Sequence, residues 1–248
     1  MDLGLKGRLA LITGASSGIG EGVARCLAAE GADLVLTARD GISLERLAAE
    51  LRELGKGSVR NIEGDVTNPG DIRRIADATG EAGILVNCAG GSRPAKWNAG
   101  EEVWEESFAL NFDAARRLSE LFIPGMLKAG WGRIINISGS MEPRGLNAAA
   151  AAKAALHVWA KGLSCDLAAH GITVNSIAPG RINSRQILTQ LHPDEDRRQK
   201  FIEENVPAGY FGEPCDIGHT VAFLASPLAR YITGAVIPVD GGMRRSAM

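Results

Sequence analysis

Leu9-Ala10-Leu11-Ile12-Thr13-Gly14-Ala15-Ser16-Ser17-Gly18-Ile19-Gly20 decides the fold of this chain. Its apolar opening is short enough for a buried strand, and a turn rich in Gly and Ser follows at once. Val23, Ala24, Leu27 and Ala28 then recur at helical spacing. Strand, glycine turn and helix start form the first half of a βαβ unit. Amides at the helix N-terminus point into the turn, and the helix dipole favours an anion there. Gly14, Gly18 and Gly20 let a pyrophosphate lie against the main chain. A tight turn without a ligand is the plain alternative; the position directly after a strand favours the dinucleotide.

Outward from this unit, strand-like and helix-like segments alternate to the end. Further strands are expected at 33–37, 58–62, 84–86, 134–137, 172–177 and 235–239. Helices are expected at 43–54, 71–78, 101–127 and about 148–169. Apolar strands alternating with helices predict a mainly parallel sheet covered on both faces. The expected fold is α/β, a Rossmann-type doubly wound sheet of seven strands, in a single domain over 1–248. Residues 181–212 break the βα rhythm and are expected to insert as a substrate lid. Ile182, Ile187, Leu188, Leu191 and Phe201 make that lid mainly apolar, and Arg181 or Arg185 would suit an acidic substrate.

Composition narrows the function. Hydrophobic residues make up 45% and charged residues 23% of the 248, with a net charge of −2. That balance is ordinary for a globular protein and lacks the basic field that nucleic acid or an anionic membrane requires. No apolar run approaches the ~20 residues of a membrane span. The start shows no signal-peptide pattern, so a cytoplasmic protein is expected. Cys26, Cys88, Cys165 and Cys215 lie far apart without metal-ligand spacing, and neither a disulfide nor a metal site is expected.

In such a sheet, ligands bind beyond the strand C-termini, so the segments after the strands carry the chemistry. The second strand ends Thr37-Ala38-Arg39-Asp40. Arg39 suits the 2′-phosphate of NADP through its guanidinium fork, whereas Asp40 keeps NAD open. Asp65, after the third strand, is placed to accept from an adenine amino group or to stabilise a turn. Asn87-Cys88-Ala89-Gly90 follows the fourth strand, with small residues that admit a cofactor and an Asn able to brace the sheet. Asn111 lies mid-helix, a poor place for Asn unless it has a polar task.

These segments, with Lys153, Ile177-Ala-Pro-Gly180 and Val239-Asp-Gly-Gly242, resemble the short-chain dehydrogenase/reductase family in type and order over nearly the whole chain. The resemblance implies a homotetramer or homodimer that reduces carbonyls or oxidises alcohols with a nicotinamide cofactor. It implies that Gly14, Ser16, Ser17, Gly18, Ile19, Gly20, Arg39, Asp65, Val66, Asn87, Ala89 and Gly90 line the cofactor. Lys153, Pro179, Gly180 and Ile182 would meet its nicotinamide end. The family's catalytic set is a Ser after the fifth strand, a Tyr on the next helix, a Lys four residues later and an Asn in the preceding helix.

Here Lys153 and Asn111 match, but four residues before Lys153 stands Ala149, not Tyr. The family's Ser aligns near Gly139, flanked by Ser138 and Ser140, with Ser138 favoured for substrate binding. Tyr210 and Tyr231 lie elsewhere in the chain. Glu142, His157 and His192 are candidate proton donors, each with a plainer reading as ion pair, core or lid residue. The sequence therefore points to an NADP(H)-dependent oxidoreductase on a small-molecule carbonyl or alcohol. Its rivals are a cofactor-binding sensor without turnover and a non-redox isomerase or dehydratase with Glu142 as base.

Overall fold

The computed structural model describes residues 1–140, 142–185 and 187–246. Seven strands form its sheet: β1 Leu9–Thr13, β2 Asp33–Ala38, β3 Val59–Glu63, β4 Ile84–Asn87, β5 Gly132–Ile137, β6 Ile172–Pro179 and β7 Val236–Val239. Their order is β3-β2-β1-β4-β5-β6-β7, and every pairing is parallel. Strand order reverses between β1 and β4, which opens a crevice at their C-terminal ends. Among the described residues eight α-helices accompany the strands: α1 Gly18–Ala29, α2 Gly41–Glu53, α3 Pro69–Thr79, α4 Glu101–Phe108, α5 Ala114–Ala129, α6 Ala148–Leu167, α7 Glu195–Asn205 and α8 Pro214–Ala225. Among the described residues no helix is long and apolar enough to cross a membrane.

Side-chain alternation along the strands splits the core into two layers. Ala10 and Ile12 point to the face covered by Val23 and Leu27 of α1, Leu44 and Leu47 of α2, and Ile217 and Val221 of α8. Leu11 points to the opposite face with Ile75 of α3 and Leu118, Phe122 and Met126 of α5. Burial on both faces explains why the central strands β1, β2 and β4 read as mainly apolar runs. Truncating Leu11, which is fully buried, to Ala costs about 2–5 kcal/mol.

Two segments differ from the sequence expectation. The helix expected over 101–127 is broken by a π-helical turn, Ala109–Asp113, which buries Asn111. A π-turn of this kind re-aims one side chain without ending the helix. Helix α8 was not anticipated at all, although Pro214 at its first turn and the reciprocal Glu213–Asp216 capping box mark its start. The segment 181–212, expected as a lid, contains a π-helical turn, Ile187–Leu191, and α7. Its own small core joins Ile187, Ile202, Val206 and Phe211. Leu188, expected in the apolar lining, is instead 38% exposed.

Candidate active site

A cleft of about 800 Å³ runs along the C-terminal edge of the sheet. The glycine turn lines it from Gly14 to Gly20, with Ser16 and Ser17 between. Arg39, Asp65 and Val66 form one end, Ala89 and Gly90 the middle, and Lys153, Pro179, Gly180 and Ile182 the other end.

The turn is built for close approach. Gly14 has φ +65°, and a Cβ there would lie 2.9 Å from the backbone of Ala89. A Cβ on Gly20 would collide with the carbonyl oxygen of Gly14, so any side chain would push the turn off α1. Ser17 precedes α1 without a side-chain cap bond, which leaves the first-turn amides available to an anion. Thr13 Oγ1 accepts from the amides of Cys88 and Ala89, each at 3.0 Å, and ties the β4 loop to β1. Sequence reading assigned Thr13 no task; a hydroxyl at a strand end beside a glycine turn was the available signal.

At the far end the carboxylate of Asp40 is already engaged. It caps α2, accepting from the Ser43 amide at 3.0 Å and from Ser43 Oγ at 2.7 Å. Those bonds hold its pKa below the usual carboxylate value. Arg39 beside it is 79% exposed in its side chain and 4.0 Å from Asp65. Asp65 also accepts from the amide and hydroxyl of Thr67, each at 2.8 Å, which is a turn-stabilising role. The geometry at this end presents an exposed guanidinium in a loose ion pair with Asp65, beside an occupied acid.

Lys153 lies at the inner end with neither hydrogen bond nor ion pair to the protein among the described residues. Desolvation lowers its pKa. A Cβ on Gly139 would sit 3.3 Å from its Cδ and 3.8 Å from its Nζ, so position 139 faces the lysine. Asn111, turned inward by the π-turn, accepts from the Gly91 amide at 3.0 Å and donates to the Ser107 carbonyl at 3.0 Å. It thereby positions the loop after β4. Asn87 does not lie on the main cleft. Its Nδ2 donates to Asn136 Oδ1 at 2.9 Å and braces β4 against β5, which corrects the expected cofactor contact. Thr13, Asn87, Asn111 and Lys153 enclose a cavity of about 10 Å³, room for a single water.

The orphan lysine, the uncapped helix start and the glycine cradle fit a dinucleotide: two cationic or donor-rich ends joined by a floor without side chains. Among the described residues no group of three His, Cys, Asp or Glu could hold a metal.

Around Lys153 the catalytic expectations need correction. Ala149 lines the cleft with no phenol near it; Tyr210 and Tyr231 are 63% and 99% exposed. Ser138 lines the cleft, but its hydroxyl is already engaged. It is buried, donates to the Ile177 carbonyl at 2.9 Å and lies 2.5 Å from His157 Nε2. Alternation along the end of β5 turns Ser138 inward and leaves Gly139 toward the lysine. Ser140 is exposed at the cleft and accepts from the Glu142 amide at 3.1 Å. Glu142 accepts from the amides of Arg245 and Ser246 at 3.0 and 2.7 Å, which hold its pKa down and make it a weaker base. His192 packs tilted against Phe201 and edge-on to Phe211.

Sequence reading also passed over Asn147. It caps α6 through the Ala149 amide at 2.9 Å, accepts from the Arg93 amide at 3.2 Å and donates to Ser92 Oγ at 2.9 Å. An Asn directly before an Ala-rich run is an N-cap signal that was present in the sequence.

Comparison with known proteins agrees with this geometry. The sequence model of the family described as Enoyl-(Acyl carrier protein) reductase matches residues 14–244. The chain belongs to the short-chain dehydrogenase/reductase family. It is 39% identical over 249 residues to 3-oxoacyl-[acyl-carrier-protein] reductase FabG of Vibrio cholerae, covering 97% of this chain and 99% of that protein. Among solved family structures, L-sorbose reductase of Gluconobacter frateurii, complexed with NADPH and L-sorbose, superposes with a TM-score of 0.94. That match has 32% identity and covers 99% of this chain and 100% of the other. The RhlG/NADP complex of Pseudomonas aeruginosa gives a TM-score of 0.89 at 31% identity, covering 98% of each chain.

Proposed function

We propose that this chain is an NADP(H)-dependent oxidoreductase that interconverts a carbonyl and an alcohol without the family's tyrosine. The observation that carries the reading is Lys153, a desolvated cation at the inner end of a dinucleotide-shaped cleft with no protein partner among the described residues. NADP is preferred to NAD because Asp40 spends both carboxylate oxygens on Ser43 while Arg39 stays open to a 2′-phosphate. Relatives solved with NADPH or NADP support the same choice.

NADPH, when held by the glycine turn, Arg39 and Lys153, would supply the hydride. Lys153 donates to the ribose hydroxyls, and its charge stabilises the alkoxide that develops on the substrate oxygen. With Ala149 in place of the phenol, the proton must come from Lys153 or from water. Desolvation makes the ammonium a better acid than an ordinary lysine. The cavity shared by Lys153 and Asn111 has room for one water, which would give the lysine a route to reprotonation. Ser140 is the one hydroxyl of the flanking pair left to meet the substrate, since Ser138 is committed elsewhere. A positioned acid contributes about 10²–10⁴ in rate, so turnover is slow for this family.

A second reading, cofactor binding without turnover, is favoured by one observation: Gly139 faces Lys153 where the family carries its Ser, so two catalytic groups are missing rather than one. Four free thiols suit a reducing, cytoplasmic setting. Val158 on α6 and Tyr231, 76% and 99% exposed, are surfaces that a homodimer or homotetramer would cover. The test is NADPH binding by fluorescence beside NADPH consumption over a carbonyl panel. Consumption supports the enzyme, binding alone supports the second reading, and neither sinks both.

A further inference from the structure

At the substrate end of the cleft, Arg181 has no counter-charge. It follows Gly180 at the end of β6 and lines the cleft. Its guanidinium stacks over the Phe201 ring at 5.6 Å, and its Nε is buried without a hydrogen-bond partner. None of the ion pairs among the described residues includes it. Its main chain is fixed, the carbonyl accepting from the Gly212 amide at 3.0 Å, so the side chain is held over the cleft by the lid base.

The surroundings add positive charge. Arg144, on the loop between β5 and α6, also lines this end, and its charge acts with burial to lower the Arg181 pKa. Lys153 lies on the same floor. Glu142, which lines the cleft, and Asp240, which packs on Gly180, are engaged: Glu142 by the amides of Arg245 and Ser246, Asp240 by those of Gly242 and Arg244. A part-buried guanidinium without a partner is costly, and a ligand oxyanion is the partner that relieves it. The planar fork of Arg matches carboxylate and phosphate oxygens two at a time. Ile187, Leu191 and Met243 line the same end and leave room for an uncharged stem.

We propose that the substrate of this chain is an anionic carbonyl compound, whose carboxylate or phosphate ester docks on Arg181 with Arg144 opposite. The proposal rests on the oxidoreductase reading for the carbonyl but not for the anion. It sets this chain apart from a reductase complexed with an uncharged ketose such as L-sorbose.

The test is calorimetric titration of the NADP⁺-loaded protein with two matched pairs: a keto acid and its methyl ester, and a ketose phosphate and the free ketose. At least one anion should bind about tenfold or more tightly than its neutral counterpart, as expected for hydrogen bonds to a charged group. In Arg181→Gln the anion-to-neutral ratio should fall to about one, and in Arg181→Lys it should be partly retained. A ratio is insensitive to any fraction of misfolded variant. Preference in the acid pair assigns a carboxylate, and preference in the phosphate pair a phosphate ester. A ratio near one in the unaltered protein for both pairs, or a preference that survives Arg181→Gln, overturns the proposal. If the anion preference holds while none of the four consumes NADPH, the oxidoreductase reading fails and the anion site stands.

Discussion

The Ser138 hydroxyl lies 2.5 Å from Nε2 of His157, buried at the wall of the cleft that the residue helps to line. A serine that sequence places at the catalytic strand end is thus a structural link between β5, β6 and α6. Ser138→Ala should lower stability by about 1–3 kcal/mol, because the Ile177 carbonyl and the imidazole lose a buried partner. Chemical denaturation measures the loss. NADPH-dependent turnover should stay close to that of the parent; a collapse of kcat with unchanged stability would return Ser138 to the active site.

The same imidazole makes folding sensitive to acid. Burial, with the charge of Lys153, lowers the His157 pKa below 6.5, and burial lowers that of His192. The folded chain therefore keeps both rings neutral where the unfolded chain takes up protons. Stability should be flat above about pH 6.5 and fall as the pH drops below it, levelling off beneath the folded pKa values. Thermal melts across this range check the slope, and His157→Gln should remove part of it.

Restoring the missing groups should restore rate. Ala149→Tyr places a phenol one helical turn from Lys153, and Gly139→Ser adds a hydroxyl whose Cβ meets only the flexible Lys153 chain. The double variant should reduce carbonyls about 10²–10⁴ faster than the parent, measured as kcat at saturating NADPH. An unchanged kcat in a folded, NADPH-binding variant would show that another group already supplies the proton.

Arg39→Ala should weaken NADPH by about 10–100-fold and leave NADH nearly unaffected, since a charged hydrogen bond to the 2′-phosphate is lost and the exposed 4.0 Å pair with Asp65 contributes little. Fluorescence titration with both cofactors decides it. Equal weakening of the two would mean that Arg39 supports the turn, not the phosphate.

The sheet was legible because its central strands are buried on both faces and are mostly apolar. The glycine turn was legible too, since close backbone approach excludes side chains and leaves a compositional trace. Helix α8 escaped notice even with its capping box, because an apolar helix after a long lid looks like a continuation of that lid. The π-turn at Ala109–Asp113 left no periodic signature, as one extra residue in a helix shifts the pattern only locally.

By itself the sequence determined the βα alternation, the dinucleotide turn, the lysine and the lack of a phenol four residues before it. Those follow from residue type and spacing within one element. Tertiary structure alone decided that Asp40 is spent on Ser43, that Ser138 is turned inward, that Glu142 is held by the C-terminal tail and that Arg181 has no counter-charge. Each depends on which oxygen or nitrogen another segment brings within hydrogen-bond reach, a matter of distance between parts of the chain that no local pattern encodes.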